Sequence, residues 1–107
     1  MTQLDIEERR EEGLTVLTVS GPVNSYTYGD FQEKLGKALT RGDVVVDLEK
    51  VSTLSSAGIG VLMAALDDAE AEGKRLRVLK PSEIVLLALD STGFAERFPI
   101  IKSLKEL

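Results

Sequence analysis

The sequence predicts an α/β fold: one domain over residues 1–107, with a mixed sheet of four to five strands and about four α-helices. Three observations lead there. Val44-Val45-Val46 is a continuous β-branched run carried on by Asp47 and Leu48, the pattern of a central strand covered on both faces. Ahead of it, residues 3–9 and 14–20 alternate apolar and polar side chains around Glu11-Glu12-Gly13, which reads as a hairpin of two half-exposed strands, the first at an edge. Behind it, apolar residues recur three or four apart, as on one helix face. Strands alternating with helices imply βαβ units and parallel pairs, and the opening hairpin makes the sheet mixed. The expected order is ββαβαβα, then a short final strand and helix.

Each element has its own signal. After the hairpin, Gly21-Pro22 reads as a breaker pair and Asn24-Ser25-Tyr26-Thr27 as cap-type residues ahead of a helix face made of Phe31, Leu35, Ala38 and Leu39. Arg41-Gly42-Asp43 ends that helix, and the central strand follows. Glu49 to Leu54 are expected to form a loop. From Ala57 onward Ile59, Leu62, Met63, Leu66 and Ala69 mark the second helix, with Met63 and Leu66 expected in the core, and Glu72-Gly73-Lys74 closes it with glycine just past the end. The acidic run Asp67, Asp68, Glu70, Glu72 reads as a solvated helix face. Leu76 to Leu79 form the next strand. Pro81-Ser82-Glu83 opens a helix through Leu87 and Leu89 that Thr92-Gly93-Phe94 ends. Phe98-Pro99-Ile100-Ile101 reads as a short strand before a last helical turn holding Leu104.

Composition narrows the function classes. Thirteen basic against 18 acidic residues give a net charge of −5 with no Lys/Arg stripe, which argues against direct contact with nucleic acid. Hydrophobic residues at 43% and charged residues at 29% point to a globular chain without a membrane-inserted segment. The start, MTQLDIEERR, lacks an apolar signal core, so a cytoplasmic location is expected. Neither Cys nor His occurs. Thiolate nucleophiles, imidazole bases and the usual zinc ligands are therefore missing, and the remaining carboxylates show no metal-ligating spacing. The chain is not expected to be an enzyme, and no cofactor is implied. A serine hydrolase using Ser55 or Ser56 would lack its general base.

The second helix draws attention at its start. Ser55 and Ser56 lie at or beside its N-cap, where amide hydrogens lack intrahelical partners and the dipole favours negative charge. Gly58 and Gly60 each cost about 1 kcal/mol in helix propensity relative to Ala. Packing against the sheet and close approach of a partner are both open explanations.

The run Leu54-Ser55-Ser56-Ala57-Gly58-Ile59-Gly60, after a strand ending in Asp47-Leu48, resembles the STAS domain family, whose bacterial stand-alone members are anti-sigma factor antagonists. The resemblance spans nearly the whole chain, including Thr92-Gly93-Phe94, and implies the same element order. The family commonly shows an Asp followed directly by a phosphorylated serine, so the resemblance makes Ser56 the phosphorylation site, with Ser55 where the Asp stands. Asn24 takes the place of the Asp in the family's Gly-x-Leu-Asp turn. The implied partner-binding set is Asn24, Ser55, Ser56, Ala57, Gly58 and Ile59. The implied function is that of an anti-sigma factor antagonist that sequesters a serine-kinase-type anti-sigma factor while Ser56 is free and releases it once Ser56 is phosphorylated, as a monomer or weak dimer. The alternative is a small STAS subunit regulating a membrane transporter ATPase. Without the resemblance, two serines at this place read as a plain helix cap.

Overall fold

The computed structural model describes residues 3–93 and 95–107. Strands β1 (Asp5–Glu11) and β2 (Leu14–Val23) form the opening hairpin, followed by α1 (Tyr28–Arg41), β3 (Asp43–Leu54), α2 (Ser56–Ala71), β4 (Leu76–Leu79), α3 (Glu83–Ser91) and β5 (Ile100–Ile101). Single 3₁₀ turns at Ala95–Arg97 and Leu104–Glu106 flank β5. The five strands lie in the order β1-β2-β3-β4-β5, antiparallel between β1 and β2 and parallel elsewhere. The predicted class, mixed sheet and edge position of β1 hold.

One large core cluster joins Phe31 and Leu35 of α1, Leu62 and Leu66 of α2, and Val85 and Leu89 of α3 to Leu17, Val19, Val46 and Val78 of the sheet. All three helices therefore cover the same sheet face, as right-handed βαβ crossovers between successive neighbours require. The opposite face carries a smaller cluster, Val16, Val45, Leu79 and Ile101, with Leu14 and Leu104 packed against it. Val44, Val45 and Val46 have no exposed surface, in keeping with a strand covered on both sides.

Four expectations need correction. Glu49 to Leu54 are not a loop: β3 runs through them for 12 residues in all. There Leu48, Val51 and Leu54 turn inward at every third residue instead of every second, because β3 pairs with β2 across register shifts at Thr18/Ser20 and Gly21/Pro22. Gly21-Pro22 likewise breaks nothing. Proline sits at one of these bulges, and Gly21 takes φ 96° with the Gln3 carbonyl oxygen 2.5 Å from where a Cβ would stand. The described residues hold three α-helices, not about four, since Leu104–Glu106 is only a 3₁₀ turn. Finally, β5 is confined to Ile100 and Ile101, outside which Phe98 and Pro99 fall, and Phe94 lies outside the described residues.

Candidate functional site

The site is built where β2 and β3 end side by side. Val23 and Leu54, their last residues, are register partners, and the Ser55 amide donates to the Val23 carbonyl at 2.9 Å. The segment after β2 and the start of α2 are thereby tied together at the carboxyl edge of two parallel strands, where α/β sheets commonly place their sites.

Ser55, half-buried, is the N-cap of α2, and its Oγ accepts from the Gly58 amide at 3.4 Å. Ser56 is the first helical residue and is exposed. The amides of Ser56 and Ala57 point out of the first turn with no carbonyl behind them. No acidic residue occupies that turn and no basic residue the last, so α2 carries an uncompensated dipole.

The two glycines part company. A Cβ on Gly58 would come 2.6 Å from Leu54 Cδ1 and 2.7 Å from Val23 Cγ1, so this glycine seats α2 on the sheet. Gly60 is exposed and a Cβ there would meet nothing within 4 Å. Its propensity cost is explained by no contact inside the described residues. Ser56 and Gly60 are four apart, on one outward face of the helix. Ala57 and Ile59 are half-buried beside it.

Asn24, half-buried, turns its side chain back into its own segment. Its Oδ1 accepts from the amides of Tyr26 (2.8 Å) and Thr27 (3.1 Å), and its amide donates to Thr27 Oγ1 at 2.9 Å. The Thr27 hydroxyl in turn donates to the Pro22 carbonyl at 2.8 Å. Asn24 thus fixes the turn into α1, and a carboxylate oxygen could accept the same bonds. Of the predicted set, Ser55, Ser56, Ala57 and Ile59 gather at the start of α2, Gly58 lies under it, and Asn24 stands beside it. Two residues outside that set lie near it: Gly60 shares the outward face of Ser56, and Tyr26, 94% exposed, stands in the turn that Asn24 fixes. The available signal was the pair of tyrosines within three residues of each other just after Asn24; nothing in the sequence set Gly60 apart from Gly58.

The acidic run on α2 is exposed, as expected, and Arg97 reaches it with Nη2 at 2.7 Å from Asp67 and 3.6 Å from Glu70. The hydrogen bond to Asp67 and the charge behind it hold the guanidinium above its ordinary pKa. Among the described residues no group of three or more carboxylates converges as metal ligands would, and no helix is long and apolar enough to cross a membrane.

Known proteins share this architecture. Residues 5–107 match the STAS domain. The anti-sigma-B factor antagonist of Staphylococcus epidermidis is 30% identical over 95 residues, covering 87% of this chain and 88% of that protein, and its Staphylococcus aureus counterpart is 27% identical over the same span. An anti-sigma factor antagonist from Mycobacterium paratuberculosis superposes with a TM-score of 0.85 at 22% identity, covering 97% of this chain and 90% of the other. The Bacillus cell fate determinant SpoIIAA in its phosphorylated form gives 0.70 at 16% identity, covering 99% and 96%. At such identities the structural likeness concerns the fold.

Proposed function

The chain belongs to the STAS domain family, and from that premise we propose that it is an anti-sigma factor antagonist whose grip on a serine-kinase-type anti-sigma factor is switched by phosphorylation of Ser56. The carrying observation is the place of Ser56: exposed, first in α2, in a helix that has no negative charge at its positive end. Phosphate adds about −1.5 to −2 charges and three acceptor oxygens, and unpartnered amides at a helix N-terminus accept such a group without an arginine. The fold therefore tolerates the modification. A partner surface shaped to an uncharged hydroxyl does not, because desolvating an unpaired dianion costs several kcal/mol. At about 1.4 kcal/mol per factor of ten, a switch of roughly 100-fold is within reach. The relatives named anti-sigma-B factor antagonists support the partner class.

Calorimetry with the wild type, Ser56→Ala and Ser56→Asp chains tests this, together with mass spectrometry after incubation with ATP and the partner. Ser56→Ala should bind like wild type and become insensitive to ATP, whereas Ser56→Asp should bind more weakly while keeping its melting transition. Phosphate on Ser52, Thr53 or Ser55 in place of Ser56, an Asp variant that binds at full strength, or a transporter ATPase as the partner would overturn the assignment.

A further inference from the structure

Resting on the reading above, we infer that Tyr26 is the aromatic anchor by which this surface docks the anti-sigma factor, and that Asn24 is the positioning residue that presents it. Tyr26 is 94% exposed, the most exposed large apolar side chain among the described residues, ahead of Leu87 at 63%, and the nearby Tyr28 is 40% exposed. The chain has only two tyrosines, and both are here, while Phe31 and Phe98 are buried in the core. The fold gains nothing from a ring standing in water. A partner would, since an aromatic side chain can bury 150–250 Å² in a contact, roughly a fifth to a third of one side of a standard interface.

Position and rigidity favour the same use. Val23 and Leu54 are paired strand ends, so Tyr26, three residues past one, and Ser56, two past the other, are at most about 22 Å apart by chain length alone. A patch of about 800 Å² is roughly 30 Å across, wide enough for one partner footprint to reach both. The Tyr26 amide is held by Asn24 Oδ1 at 2.8 Å, and the Thr27 hydroxyl ties the same turn to Pro22 at 2.8 Å. A pre-ordered backbone spares much of the ordering cost of binding. Tyrosine is enriched among the few residues that dominate interfaces, where its ring fills an apolar recess and its hydroxyl keeps a polar partner. The matching surface is thus an apolar recess on the anti-sigma factor that takes the ring and leaves the hydroxyl at its wet rim. The anchor also separates affinity from switching, because it holds the partner in register while Ser56 reports the phosphorylation state.

The purified serine-kinase-type anti-sigma factors of the same genome serve as the probe panel, titrated against the wild type, Tyr26→Ala, Tyr26→Phe, Asn24→Ala, Asn24→Asp and Ser56→Asp chains. Tyr26→Ala should weaken binding at least about tenfold with an unchanged melting curve, Tyr26→Phe should retain affinity within about threefold, and Asn24→Ala should be weakened where Asn24→Asp is not. A Tyr26→Ala chain that binds within about twofold of wild type, while Ser56→Asp is still impaired, overturns the anchor and leaves the switch standing. Impairment by Tyr26→Ala with full binding by Ser56→Asp overturns the switch and supports the anchor. A panel in which nothing binds the wild type overturns both.

Discussion

Helix α2 begins with Ser55 and Ser56, uncharged, capped through one long hydrogen bond and lacking any acid in its first turn; it ends among Asp67, Asp68, Glu70 and Glu72, with no base in its last turn. Charge is therefore missing where the dipole would welcome it and crowded where the dipole resists it. At the acidic end the fold supplies remedies. Gly73, at φ 71°, lets the amides of Gly73 and Lys74 bond back to the carbonyls of Glu70 and Ala69, and Arg97 reaches over to Asp67 and Glu70. At the serine end it supplies none beyond the Ser55 cap. The difference teaches that the two ends of α2 are treated unequally: the acidic end is compensated by the fold, and the positive end is left open to a negative group, as the phosphorylation proposed at Ser56 would supply.

The largest test of that contrast separates the two glycines. Gly58→Ala should destabilise by about 1–2 kcal/mol, the overpacking cost against Val23 and Leu54 outweighing a helix gain of about 1 kcal/mol, and lower the melting midpoint by roughly 4–16 °C. A neutral result would mean that α2 can lift from the sheet and that Gly58 does not set its height. Gly60→Ala should do the reverse, raising stability by about 0.5–1 kcal/mol because its Cβ meets open space, while weakening the partner if that surface approaches the backbone. Stabilisation with undiminished binding would place Gly60 outside the contact. The smallest effect addresses the dipole directly. Ser56→Asp and Asp68→Asn should each stabilise by about 0.3–0.5 kcal/mol at low salt and lose that gain at about 1 M salt, since one adds charge at the positive end and the other removes it from the negative end. Melting curves at two ionic strengths that show no gain for Ser56→Asp would mean that the N-terminal turn is already compensated.

Much of this was legible in the residues. Val44 to Val46 announced a buried strand, Phe31, Leu35, Ala38 and Leu39 announced a helix face, and Gly73 marked a helix end, because each pattern reflects a local period or a local backbone need. The second half of β3 was hidden since its inward residues, Leu48, Val51 and Leu54, follow a spacing of three that only the bulged pairing with β2 produces. Pro22 concealed the last part of β2 for the same reason. The buried stripe of α2 centres on Gly58, Val61, Leu62, Ala65, Leu66 and Ala69, which leaves Met63 and Ile59 half-exposed at its margin. At the site, Ser55 and Ser56 were readable from capping chemistry and family resemblance. What Asn24 bonds to, and which of two glycines two residues apart faces inward, depends on where α2 settles over Val23, a distance no local pattern records.

The strands stand in the sheet in the order in which they occur in the chain, so no pairing waits on a segment made later. Each parallel neighbour is reached through a single helix, and the entropy of closing such a loop rises only slowly with its length. The sheet can thus grow by accretion from its local β1–β2 hairpin, one βα unit at a time, in the direction in which a nascent chain emerges. The surface at the start of α2 is complete once that helix has docked on β2 and β3, before β4 and β5 have joined, whereas β5, held by two register pairs, is the last strand added and the first expected to fray.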